Sequence, residues 1–143
     1  MRARETLDAP EALVLTIVLV AAADGGMTDR EIGVMAGQVQ TLPAFHDFTT
    51  EKLGTVTDAA VKLLNEDDGL QRAAQLMRDA LEPRLRETAY VLACEVVTAS
   101  PVVKERTLQM LDFVRVELQL DPLIAAAIER GVRARYQRVE AGR

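Results

Sequence analysis

Hydrophobic residues recur along this chain at three- and four-residue spacings rather than in strict alternation, and that period predicts helices throughout. Over residues 12–23 only Thr16 interrupts an apolar run. A helix apolar on every face has to be covered on every face. The first helix, roughly residues 10–23, is therefore expected at the centre of the domain. Asp8, with Pro10 soon after, supplies its start. Asp24-Gly25-Gly26 ends it, because glycine adopts the backbone angles of a helix terminus. Thr28-Asp29-Arg30-Glu31 then has the spacing of a capping box, in which Thr28 and Glu31 each satisfy a backbone amide of the other. The second helix is expected to run to about Leu42. Its apolar stripe is Ile32, Val34, Met35, Val39 and Leu42, interrupted by Gln38, and Pro43 closes it.

The pattern weakens in the middle. Residues 44–53 suggest a short helix with Phe45 and Phe48 inward, broken by Gly54, and residues 58–64 suggest another. A turn over residues 65–69, with Asp68 as a cap, leads into a helix with Leu70, Ala73, Ala74, Met77 and Leu81 on one side. Pro83 opens a long helix to about Ala99. Ser100-Pro101 reads as the start of the next, which carries Leu108, Leu111, Phe113, Val116 and Leu120. Asp121-Pro122 opens a last helix ending near Arg138. A shift of 74 residues lays Asp24 on Thr98, Glu31 on Glu105, Val34 on Leu108, Val39 on Phe113 and Leu42 on Val116. The expected fold is thus all-α. It is a compact bundle of about seven helices over residues 1–143, built from two similar helical-hairpin halves at about 8–42 and 82–116.

Composition narrows the function classes. The chain has 143 residues, of which 49% are hydrophobic, enough to bury a core without covalent staples. A single cysteine, Cys94, excludes an intramolecular disulfide and a cysteine-rich zinc site. It lies in the apolar run 90–94, where a buried thiol is the simplest reading. The apolar run at 12–23 is shorter than the roughly 20 residues of a membrane span. Arg2 and Arg4 imitate the basic end of a signal peptide, but Glu5, Asp8 and Glu11 break that pattern, so the cytoplasm is the expected location. A net charge of -5 disfavours binding to a phosphate backbone. No expected helix pair presents a basic recognition face either, and no nucleic-acid partner is expected. Arg130, Arg133, Arg135, Arg138 and Arg143 form a local exception, read as the solvated face of the last helix or as a docking tail.

The acidic turn from Asp24 to Glu31 carries the sharpest chemical signal. It matches the second part of a calcium-binding EF-hand loop: an acid, a glycine, an apolar anchor at Met27, a hydroxyl at Thr28 and a glutamate. The upstream ligand positions are Val20 and Ala22, which excludes a standard EF-hand. Asp24 and Glu31 remain, with Asp29 or a carbonyl near Gly26 beside them. A hard cation such as calcium, magnesium or manganese takes about six oxygens, so water or the second half would supply the rest. The candidates there are Glu105, Glu95 and Thr98. Glu95 interrupts the apolar run 90–97, and a buried carboxylate is costly unless paired or metal-bound. It could also face solvent or pair with Arg106 or Arg78. The competing reading is that Asp24 and Glu31 only finish helix ends, where acids are favoured in a first turn.

These residues resemble a known family. Ala22-Ala23-Asp24-Gly25 followed by Met27-Thr28 and Glu31 is similar to the hallmark of the TerB-like, tellurite-resistance-associated domain, and the likeness spans about residues 11–120. The resemblance implies a compact all-helical domain of two similar halves in a bacterial stress response. It also implies divalent-cation binding through acids, and association with other protein components, including a membrane-associated complex that would hold the domain peripheral to the inner membrane. Asp24 and Glu31 would be the first acidic pair. Glu105 matches the second glutamate, but Thr98 and Ala99 stand where the family commonly repeats Asp-Gly, leaving Glu95 as a possible substitute.

Nothing in the chain assembles an enzyme. His46, the one histidine, sits in Phe45-His46-Asp47-Phe48 and reads as a surface or partly buried residue. No nucleophile elbow is present, and Asp24-Gly25-Gly26 lacks the lysine and spacing of a phosphate loop. No organic cofactor is expected. Two functions stand side by side: a non-enzymatic TerB-like domain with a divalent-cation site, or a metal-free protein interaction module whose acidic turn is only a cap.

Overall fold

The computed structural model describes residues 6–140, so Arg2, Arg4, Glu5 and Arg143 lie outside the described residues. Its first helix, α1 (Ala9–Ala21), is buried without a break from Glu11 to Ala21. Asp8 opens it with a capping box: its carboxylate accepts from the Glu11 amide at 2.9 Å, and Glu11 accepts from the Asp8 amide at 3.0 Å. Full burial of an aliphatic side chain contributes about 1.5–3 kcal/mol. Leu13, Ile17, Val18 and Val20 are all fully buried, so this one helix anchors much of the core. A truncation such as Leu13→Ala would cost about 2–5 kcal/mol.

The other helices are arranged around α1. They are α2 (Asp29–Thr41), α3 (Thr50–Leu64), α4 (Gly69–Ala80), α5 (Pro83–Ala99), α6 (Glu105–Glu117) and α7 (Pro122–Arg135), and no strand occurs among the described residues. The all-α bundle of seven helices expected from the periodicity is what the chain forms. α5 lies along α1, and these two helices form the spine. α3 packs on α1 as α7 packs on α5, while α2 crosses onto α5 and α6 crosses onto α1.

The 74-residue shift carries α1 onto α5, Ala9 onto Pro83. The likeness also extends to a third helix: Leu53 and Ala60, the buried residues of α3, fall on Ala125 and Val132, those of α7, at a shift of 72 residues. α4 is the exception. It follows the first set of three helices, packs on α1 and α3, touches α6, and has no counterpart among the described residues.

Several local readings change. Residues 43–45 form a single 3-10 turn, and the two short helices expected around Gly54 are one helix. Gly54 costs about 1 kcal/mol in a helix interior, but burying Leu53 and Ala60 on either side outweighs it. Thr49 caps this helix, accepting from the Lys52 amide at 3.0 Å. Ser100-Pro101 does not start α6. Ser100 is already the closing residue of α5, its amide bonded to the Val97 carbonyl, and an exposed loop over residues 101–104 intervenes. α7 ends at Arg135, short of Arg138. Ile32, Leu108 and Val116, placed on apolar stripes, stand about half exposed. Among the described residues no helix is long and apolar enough to cross a membrane.

Candidate functional site

The acidic turn follows directly from how α1 ends. Gly25 takes a φ of +110°, which an L side chain rarely adopts, and its amide bonds the Ala22 carbonyl at 3.1 Å. The chain reverses there and Thr28 opens α2. Glu31 Oε1 accepts from the Thr28 amide at 2.7 Å and from the Thr28 hydroxyl at 3.1 Å, and the same hydroxyl oxygen accepts from the Glu31 amide at 3.2 Å. Glu31 is 7% exposed, so its carboxylate is committed to the cap and largely out of water.

Asp24 has a partner that the sequence reading missed. Lys104 Nζ lies 2.8 Å from Asp24 Oδ2. The hydrogen bond to Asp24, then the charge of Asp24 and that of Glu31, hold the Lys104 ammonium above its ordinary pKa. Lys104 is the residue before α6, so the ion pair ties the α1–α2 turn to the α5–α6 loop at the same end of the bundle. The usable signal was small: under the 74-residue shift Lys104 falls on Arg30, so each half has a cation just before the matched glutamate.

The four carboxylates singled out as metal ligands lie as follows. Asp24 and Glu31 share the turn. Glu105 is exposed at the first position of α6, next to Lys104. Glu95 belongs to a different set of contacts: its Oε1 accepts from Gln38 Nε2 of α2 at 3.1 Å, and its Oε2 lies 2.9 Å from Arg135 Nε of α7. Neither arginine weighed for it from the sequence is its partner, and Arg78 pairs with Glu117 instead. Glu95 is thus a tie between α2, α5 and α7. Among the described residues no three carboxylate, thiol or imidazole groups converge on a common point. His46 is at the surface with Asp47 beside it, their side chains 83% and 87% exposed.

A second feature comes from an asymmetry between the halves. α2 packs on α3, but α7 rests on α5 and makes no comparable contact with α6. A groove of about 490 Å³ opens between α6 and α7. Tyr90, Cys94 and Val97 of α5 form its floor, and Leu108 and Leu111 face Glu129 and Arg133 across it. The Tyr90 phenol donates to a Glu129 carboxylate oxygen. Burial first, then that bond, pushes the Tyr90 pKa well up. Burial and the charge of Glu129 push the Cys94 thiol up to about 12. Both groups stay protonated at neutral pH, so the floor offers apolar surface rather than a nucleophile. Periodicity could not reveal this groove, because it arises from two helices failing to meet.

No family model, curated protein or solved structure matches the chain.

Proposed function

We propose that this chain is a non-catalytic helical interaction domain in which the acidic turn acts as a structural clasp. One observation carries the reading: the two carboxylates that would form the first acidic pair have partners within the chain, Glu31 in the Thr28 cap and Asp24 on Lys104. A turn whose Asp24–Glu31 pair is answered internally serves to fix the relative position of α2 and α6, and leaves the outer helices to meet other proteins. Melting the full chain with and without calcium, magnesium or manganese tests this. An unchanged Tm is expected. A rise of several degrees that disappears in Asp24→Asn would overturn it.

One feature favours the second reading, a TerB-like divalent-cation domain. The turn already holds a positive charge, with Asp24 in contact and Glu31 within electrostatic reach. A divalent ion displacing Lys104 would meet those two acids at the end of the bundle where α6 begins with Glu105. This reading places the domain in the cytoplasm beside other proteins, a membrane-associated complex among them. It expects Lys104→Met to tighten cation binding measured by calorimetry. No heat of binding in either the parent or the Lys104→Met protein would overturn it.

A further inference from the structure

We propose that α7 is a hinged strap. It lifts off α5 as a unit, pivoting at Gln119, while the other six helices stay folded, and so uncovers Tyr90 and Cys94. This goes beyond the interaction-domain reading and does not depend on it.

Two separate asymmetries leave α7 with a single close neighbour. Its counterpart in the repeat, α3, packs on α1 and is flanked by α2 and by α4. Neither flank of α7 is covered in that way. α6 does not close against it, and a helix corresponding to α4 does not occur among the described residues. Docking on α5 remains, and it is thin. Ala125 and Val132 are the only buried residues of α7, with Ile128 partly covered between them. Leu123 is 78% exposed, and Ala126, Ala127, Gly131 and Ala134 are exposed too. Two polar ties add to the docking. The Tyr90 phenol donates to Glu129. Arg135 Nε lies 2.9 Å from Glu95 Oε2, but the arginine side chain is 70% exposed, where an ion pair contributes little.

The hinge lies where a fixed element ends. α6 is held to the body by its packing on α1, α4 and α5. Leu118, which closes it, is buried, and its carbonyl accepts from Arg86 Nη1 at 3.4 Å. The same guanidinium donates to the carbonyls of Leu81 and Arg78 at the end of α4, at 2.8 and 3.0 Å. The next residue, Gln119, has a φ of +57°, in the left-handed region, and α7 begins only at Pro122. Changes of backbone angle over residues 119–121 swing α7 without disturbing α6. A 14-residue helix is marginal by itself in water, so α7 also unwinds once undocked. Cys94 reports the opening. It is 4% exposed, on the floor of the groove that Glu129 and Arg133 of α7 wall on one side.

Alkylation of Cys94 by N-ethylmaleimide at pH 8, followed across a urea series on the full chain, tests the strap. Lifting one helix exposes little surface, so the rate should be nearly flat at low urea and steepen only where global unfolding takes over. In water the rate is expected roughly a hundredfold or more below that of the denatured chain, yet roughly tenfold or more above the value extrapolated from the steep limb. Val132→Ala removes the main apolar contact of α7 and should raise the flat limb about tenfold. Ala60→Gly, at the repeat-equivalent place in α3, should move only the steep limb. Amide exchange separates lifting of the helix from entry of the reagent alone. The Ile128 and Val132 amides should exchange through the same shallow opening, and those of α1 only on global unfolding. A single steep dependence reaching down to zero urea overturns the proposal. So does a flat limb indifferent to Val132→Ala, and so do α7 amides that exchange no sooner than those of α1.

Discussion

Glutamine at position 31 separates a helix cap from an ion ligand. Glu31 Oε1 accepts two bonds from Thr28, at 2.7 and 3.1 Å, in a site where Glu31 is 7% exposed. Glutamine keeps an acceptor oxygen on the same stem and serves in a capping box as glutamate does. Glu31→Gln therefore gives up only the attraction of a charge to a helix start, about 0.3–1 kcal/mol. Glu31→Ala removes the acceptor and leaves the Thr28 amide without it, adding about 1–3 kcal/mol. Unfolding entropy is about 2.1 cal/mol/K per residue, so a chain of this size loses roughly 3 °C of Tm per kcal/mol. The expected shifts are about 1–3 °C for glutamine and about 4–12 °C for alanine. Calorimetric melting in EDTA reads both, and repeating it with magnesium or calcium should leave the difference intact. If glutamine lowers the Tm as far as alanine does in EDTA, the charge rather than the bond geometry holds this turn, and the capping account is wrong.

Cys94 should resist alkylation at pH 8 in the native protein and react readily in denaturant. Its native pKa of about 12 lies above the ordinary 9.0, so the folded state keeps a proton that the unfolded state releases. Its contribution to stability is thus complete below pH 9 and lost as pH rises toward 12, and the urea midpoint of the parent should fall relative to Cys94→Ala across that interval. Two of the helical glycines should respond oppositely. Gly54→Ala has open space around the new Cβ and should gain about 0.5–1 kcal/mol. At Gly69 a Cβ would lie 2.0 Å from the Leu63 carbonyl oxygen, and Gly69→Ala should cost about 1–3 kcal/mol in urea denaturation. A double-mutant cycle on Glu95→Ala and Arg135→Ala should give a coupling below about 1 kcal/mol, because the Arg135 side chain is 70% exposed.

The parts of the fold legible in the sequence are those set by neighbouring residues. The apolar run of α1, the Thr28–Glu31 box and the Asp121-Pro122 start all appear where the pattern places them, because each acts within one or two turns. The misread segments are where a tertiary contact overrides a local preference: Leu53 and Ala60 carry a helix through Gly54, and Ser100 closes α5 instead of opening α6. The candidate site divides the same way. The turn itself is local, but the partners of its residues are not. Lys104 comes from 80 positions beyond Asp24, and Arg135 from 40 beyond Glu95. Charge pairs at such separations leave no periodic trace. The repeat aligns the two turns and matches Glu31 with Glu105, but the contact across them is made by the neighbouring Lys104.

The spine of α1 and α5 has a consequence for synthesis on the ribosome. The two helices that cover each other most begin 74 positions apart, at Ala9 and Pro83. At about 5–20 residues per second, α1 waits roughly 4–15 s for α5 to be made. Throughout that delay its aliphatic surface can be shielded only in part, by α3 and α4. The newborn chain should therefore be a good client for a ribosome-associated chaperone while α5 is still being made, and should lose that dependence once α5 has cleared the exit tunnel.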